Sequence, residues 1–122
     1  MKMKMVFVLA IAALLTPLTV MAHHGWGGYA DEEFEISGVV TTPVSLAGPH
    51  ATMKIKVDQQ VWDLTLAPPP RTKSAGVTET TFPIGAKVTA HGHRSKDPKR
   101  FEMKTERVTY NDKIYNVYPD RE

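Results

Sequence analysis

From His50 to Val57 the chain alternates without a break: Ala51, Met53, Ile55 and Val57 fall on one side, His50, Thr52, Lys54 and Lys56 on the other. A period of two marks a strand with one buried and one wet face, because successive Cβ atoms point to opposite sides of a sheet. The pattern recurs along the chain. Phe34 to Val40 alternates, Val61 to Leu66 turns Trp62, Leu64 and Leu66 inward, and Lys87 to His93 turns Val88 and Ala90 inward with Thr89, His91 and His93 outward. Phe101 to Tyr110 and a short Lys113 to Tyr118 complete the set. Turn-forming residues separate these runs: Pro43, Gly48 and Pro49 between the first two, Asp58-Gln59-Gln60 before the third, and Asn111-Asp112 before the last. Pro68-Pro69-Pro70 stops the third strand, and Arg71 to Ala75 makes one helical turn with Gly76 as its left-handed terminator. Three strands, a helical connection, then two or three strands predict an all-β fold. It is a small five- or six-stranded barrel of the OB type with one short helical link.

The start of the chain has a different character. Lys2 and Lys4 precede an apolar run from Met5 to Leu15, and Val20-Met21-Ala22 supplies small residues for cleavage. This is the layout of a secretory signal peptide. The apolar run is far shorter than the ~20 residues that cross a bilayer, and Pro17 follows it. The expected organisation is a signal peptide over 1–22, an extended glycine-rich and aromatic arm over 23–33, a barrel over 34–118 and a tail over 119–122. The expected destination is the periplasm. Losing Lys2 and Lys4 reduces the formal charge of +2 to zero, with 13 basic against 13 acidic side chains. No basic field then remains to attract nucleic acid, and no stable membrane insertion is expected after cleavage. The absence of cysteine excludes disulfides, thiolate metal sites and cysteine nucleophiles.

Several pieces stand out together: Ala22-His23-His24-Gly25-Trp26, Gly38-Val39-Val40, Gly48-Pro49-His50-Ala51-Thr52, Trp62, Ala67-Pro68-Pro69 with Arg71 and Gly76, Gly85 with Val88, and Glu106-Arg107-Val108. In this combination the chain resembles a family of small secreted bacterial proteins catalogued as domain of unknown function 6152. The resemblance implies a periplasmic small β-barrel and carries no established activity.

Function therefore rests on the histidines. Cleavage after Ala22 makes His23 the first residue, with its α-amine and Nδ1 both available to one metal ion. A second imidazole completes a three-nitrogen, roughly planar set of the kind called a histidine brace, and tetragonal nitrogen ligation suits Cu(II). His50 at the Pro-His strand opening is the first candidate for that imidazole; His93 and His91 follow. His24 offers a local alternative through its ring, the terminal amine and the intervening amide. His91 and His93 share a strand face and could bind a metal as a pair, although two histidines without a third are usually surface residues. The loop carrying Arg94, Lys96, Lys99 and Arg100 could receive an anion, but Asp97 and Glu102 dilute its charge. Met53 and Trp62 alternate with core positions, and Trp26 and Tyr29 are expected to pin the arm to the barrel. No hydrolytic motif or phosphate-binding loop is present. The leading expectation is a non-enzymatic periplasmic protein that buffers or delivers copper through His23, His24, His50 and His93. Its alternative is a barrel module for a small ligand or another envelope protein, with no metal.

Overall fold

The computed structural model describes residues 26–121. The proposed signal peptide, His23 and His24 lie outside the described residues. Six strands form one sheet: β1 (Phe34–Ser45), β2 (Thr52–Val57), β3 (Gln60–Thr65), β4 (Lys87–Arg94), β5 (Glu102–Tyr110) and β6 (Lys113–Asn116). A short helix, α1 (Pro69–Ser74), links β3 to β4, and a 3-10 turn (Pro119–Arg121) follows β6. The order is β3-β2-β1-β4-β5-β6, and a parallel pairing of Asp63–Thr65 with Glu102–Lys104 joins β3 to β5. The first five strands thus close into an OB-type barrel and β6 lies outside it, as the strand order in the sequence predicts.

Closure requires β1 to serve two neighbours. Its first half pairs with β4 from Phe34 to Val39, and its second half pairs with β2 from Val39 to Ser45. Register shifts on either side of Thr42 bend the strand. The sequence pattern ends this strand at Val40 because Pro43 follows, yet it continues to Ser45. Pro43 falls inside a register shift, where no ladder N–H is needed, so it does not end the strand.

The two tight hairpins follow from local chemistry. Asp58 takes a φ of 55° between β2 and β3, and Asn111 and Asp112 take 51° and 64° between β5 and β6. Two successive positive φ values suit the twist of a two-residue hairpin, and Asn and Asp tolerate that region better than most residues. α1 begins two residues before the expected Arg71, since proline is acceptable in a first helical turn. It ends as expected, with Gly76 at φ 91°.

The inward faces meet in one core containing Val40, Met53, Ile55, Leu64, Leu66, Val88, Ala90, Met103 and Val108. Val77 and Phe82, both without exposed surface, lie in the link after α1, and Phe82 packs edge-on to Tyr110 and Tyr115 at 5.8 and 5.2 Å. Thr72 on α1 is fully buried, and its hydroxyl donates to the carbonyl of Ala67 at 2.8 Å. Met53 and Trp62 are core residues, in keeping with the alternation.

One departure from regularity positions everything functional. Between β4 and β5 the register runs His91 to Arg107 and then Gly92 to Thr105, so Glu106 is an extra residue in a bulge. Val117 N and Tyr118 N both donate to its carbonyl, at 2.9 and 3.2 Å. The close approach of β5 depends on Gly92: a Cβ there would lie 2.0 Å from the Lys104 carbonyl oxygen. Gly92→Ala is expected to destabilise the fold by about 3 kcal/mol, the upper end of the range for overpacking. Gly28→Ala, whose Cβ meets nothing within 4 Å, is expected to stay within about 0.5 kcal/mol of the parent. Urea unfolding of the two variants checks the contrast.

Candidate functional site

β4 presents His91 and His93 on the outer face of the barrel, as the alternation requires, but neither faces open water. The arm folds over them. Trp26 to Gly28 form a turn, Tyr29 bridges to Ser95, Ala30 N donates to Arg94 O at 2.8 Å and Lys96 N donates to Gly28 O at 2.9 Å. The described part of the arm is thus docked, with a turn where an extended segment was expected. Trp26 does pin it down: its indole lies edge-on to His93 at 5.7 Å and to Tyr118 at 5.2 Å.

His93 is 7% exposed, and both its ring nitrogens are engaged. Nδ1 lies 2.9 Å from the carbonyl oxygen of Ala30, and Nε2 lies 2.9 Å from Glu106 Oε2. A carbonyl can only accept, so Nδ1 donates. One proton then joins Nε2 to the carboxylate. With both ring nitrogens engaged, His93 is a structural tie between arm, β4 and β5, which does not suit it to the open imidazole for which it was a candidate after His50.

Glu106 is 1% exposed and is the anion of the cluster. Besides His93 it meets Arg121 Nε at 3.4 Å and Arg107, whose guanidinium lies 3.6 Å from Oε1. Removing a buried carboxylate from such a group leaves its partners charged and unmatched, which is more damaging than the pair is stabilising. Next to it, His91 contacts Glu33 through Nε2 and Glu35 through Nδ1 at 3.4 Å. Arg107 reaches Glu33 at 3.7 Å. The hydrogen bond from His91 holds the Glu33 carboxyl below its ordinary range against the opposing effect of burial, helped by the charges of His91, Arg107 and His93.

A second group gathers where the β1–β2 loop meets β5. Lys104 is 5% exposed; its Nζ lies 5.1 Å from the Trp26 ring centre and makes a long hydrogen bond of 3.5 Å to His50 Nε2. Arg121 stacks on the same indole at 3.9 Å. Burial pushes the Lys104 ammonium below its usual range, and the charge of Arg121 adds to this. His50 is also lowered, first by burial and then by Lys104. The Pro49-His50 corner, Trp26 and the end of the 3-10 turn therefore form one continuous surface. Of the histidines singled out in the sequence, His93 meets Trp26 directly, and His50 is linked to it through Lys104. In the loop from Arg94 to Arg100, Arg94 lies over the rings of Phe34 and Trp62 and Arg100 pairs with Glu102 at 3.6 Å.

Lys104, Glu106 and Arg121 are the residues that sequence reasoning missed. A signal for the first two was present. Phe101 and Met103 have one parity, Val108 and Tyr110 the other, and only an inserted residue lets both Met103 and Val108 reach the core.

Residues 11–104 match a family of unknown function, DUF6152, and the chain belongs to that family. No curated protein matches it. Among solved structures, it is similar to a ZRD-deleted mutant of TiaS in complex with agmatine, at 14% identity and a TM-score of 0.53, over 70% of this chain and 26% of that one. It is also similar to apo TiaS, a tRNAIle2 agmatidine synthetase, at 15% identity and a TM-score of 0.50, over 65% of this chain and 18% of that one. The chain thus spans about a quarter or less of these enzymes, and the likeness is one of fold.

Two outcomes follow from the geometry. Glu106→Ala is expected to cost about 3–5 kcal/mol in chemical denaturation, the range for breaking a buried pair, with Glu106→Gln milder because it keeps the shape. His50, whose proton affinity is lowered in the fold, costs nothing above its ordinary value of 6.5. As the pH falls below that value the unfolded chain takes up the proton first, so stability is lost toward acid. A His50 titration by NMR should have its midpoint below 6.5, and Lys104→Met should return it only part of the way, since burial is the larger cause.

Proposed function

We propose that this is an exported, periplasmic, non-enzymatic metal-binding protein that holds Cu(II) between a processed N-terminal His23 and His50, with His24 beside them, for buffering or delivery. One observation carries the reading: Trp26 rests on Lys104, and Lys104 touches His50. The chain preceding Trp26 therefore starts from the side of the barrel that bears the Pro49-His50 corner. His23 precedes Trp26 by three residues, and three extended residues span about 10 Å. That reach allows the α-amine and Nδ1 of His23 to meet the ring of His50 around one ion. The depressed proton affinity of His50 keeps its imidazole neutral and ready to ligate at neutral pH. His93 is left out of this ligand set because both its nitrogens are bound.

Lys104 and Arg121 oppose a cation at this corner, and copper has to displace the Lys104 ammonium from His50. The same two cations around Trp26 favour a second reading, in which the corner takes the carboxylate or another anionic group of a small ligand or envelope partner and no metal is involved. Calorimetric titration with Cu(II) separates the two. Correctly processed protein should bind one equivalent, with a nitrogen-split electron paramagnetic resonance signal. One extra residue before His23, or His50→Ala, should weaken binding at least about tenfold, the loss typical of disturbing even an outer-sphere partner. Lys104→Met should tighten it. Equal affinity in all four forms sinks the copper reading, and absence of binding favours the anion.

A further inference from the structure

Three side chains from three separate segments converge beside the bulge: Glu33 from the arm, His91 from β4 and Glu106 from β5. One ligand atom of each lies within 4.8 Å of the others. Acidic side chains near a histidine are common, but here one of them is unusual. Glu106 is buried, its Oε2 carries the bonds to His93 and Arg121, and its Oε1 has no hydrogen-bond partner among the described residues. Arg107 approaches that oxygen only to 3.6 Å, and its own NH1 also lacks a hydrogen bond. A buried carboxylate oxygen without a donor is costly unless something completes it.

We propose that Glu33, His91 and Glu106 form a divalent-metal site, suited to Zn(II), that latches the N-terminal arm to the barrel. One imidazole nitrogen and two carboxylate oxygens are ligands that zinc accepts at about 2.0–2.2 Å, so neighbouring ligand atoms around a tetrahedral ion stand roughly 3.4 Å apart; the widest present spacing has to close by up to about 1.4 Å, while the close His91–Glu33 contact has to open. The contact between His91 Nε2 and Glu33 shares one proton. Zinc takes the place of that proton, which leaves to solvent, and the fourth tetrahedral position stays open to water. The three carboxylates Glu33, Glu35 and Glu106 balance the guanidinium groups of Arg107 and Arg121 and the proton held between His93 and Glu106, so the ion does not enter a field already positive. The site is separate from the proposed copper corner. It shares no ligand with it, yet it fixes the segment that carries Trp26.

The test is calorimetry with zinc chloride on protein carrying His23→Ala, His24→Ala and His50→Ala, which silences the corner and leaves the latch intact. One equivalent should bind, raise the melting temperature, and slow exchange of the Ala30 amide. Glu33→Gln, an exposed change that does not threaten the fold, should weaken binding at least about tenfold, and Glu106→Gln should do the same. No binding at micromolar zinc, or an affinity indifferent to both glutamine variants, overturns the site. Binding that leaves the Ala30 amide exchange unchanged overturns the latch.

Discussion

The outer face of this barrel is organised around a buried charge. Glu106 sits in the β5 bulge with hardly any exposed surface, and a carboxylate in that position must be matched. Its partners are His93 on β4, which passes the tie on to the arm at Ala30, Arg107 beside it on β5, and Arg121 from the turn after β6. This anion ties both the arm and the C-terminal turn to the barrel, beside the arm's own backbone bonds to β4 and the loop after it. Trp26 then seals the arrangement, with His93 and Tyr118 at its edges and two cations on its faces.

This arrangement divides the histidines by role. His93 is consumed in holding the arm, and its burial comes from that cover and not from a place in the core. His91 is shared by two exposed glutamates and stays half-buried. Among the described residues the hydrogen bond of the His50 ring is a long one to Lys104, so its imidazole is the least committed to structure of the three described histidines. A barrel of this type commonly uses the loops between its first two and last two barrel strands to meet ligands, and His50 stands at the end of the first of these.

Most of the fold was legible in the sequence because alternation and turn residues are local signals. The strands, both hairpin turns, the helical link and its glycine terminator all rest on neighbours within a few residues. Pro43 misled, since a proline ends a strand only where its missing N–H is needed. The site was less legible. His50 and His93 stood out as histidines, but whether a ring is open or tied depends on residues brought together from the arm, β4, β5 and the last turn. No spacing along the chain reports Arg121 beside Trp26. The bulge alone left a trace, in the parity break between Met103 and Val108, and with it the positions of Lys104 and Glu106.

The seam between β3 and β5 has a kinetic consequence. It joins Asp63–Thr65 to Glu102–Lys104, segments about 40 residues apart, and no shorter-range contact closes the cylinder. The entropy of bringing such distant edges together is spent before the seam returns anything. A chain built this way folds more slowly than a helical bundle of equal length. Until β5 arrives, β3 remains an open edge with unmatched backbone groups, the kind of surface that pairs with other chains. The span in which this protein is most open to aggregation or to capture by a chaperone is therefore the interval before its second half has emerged.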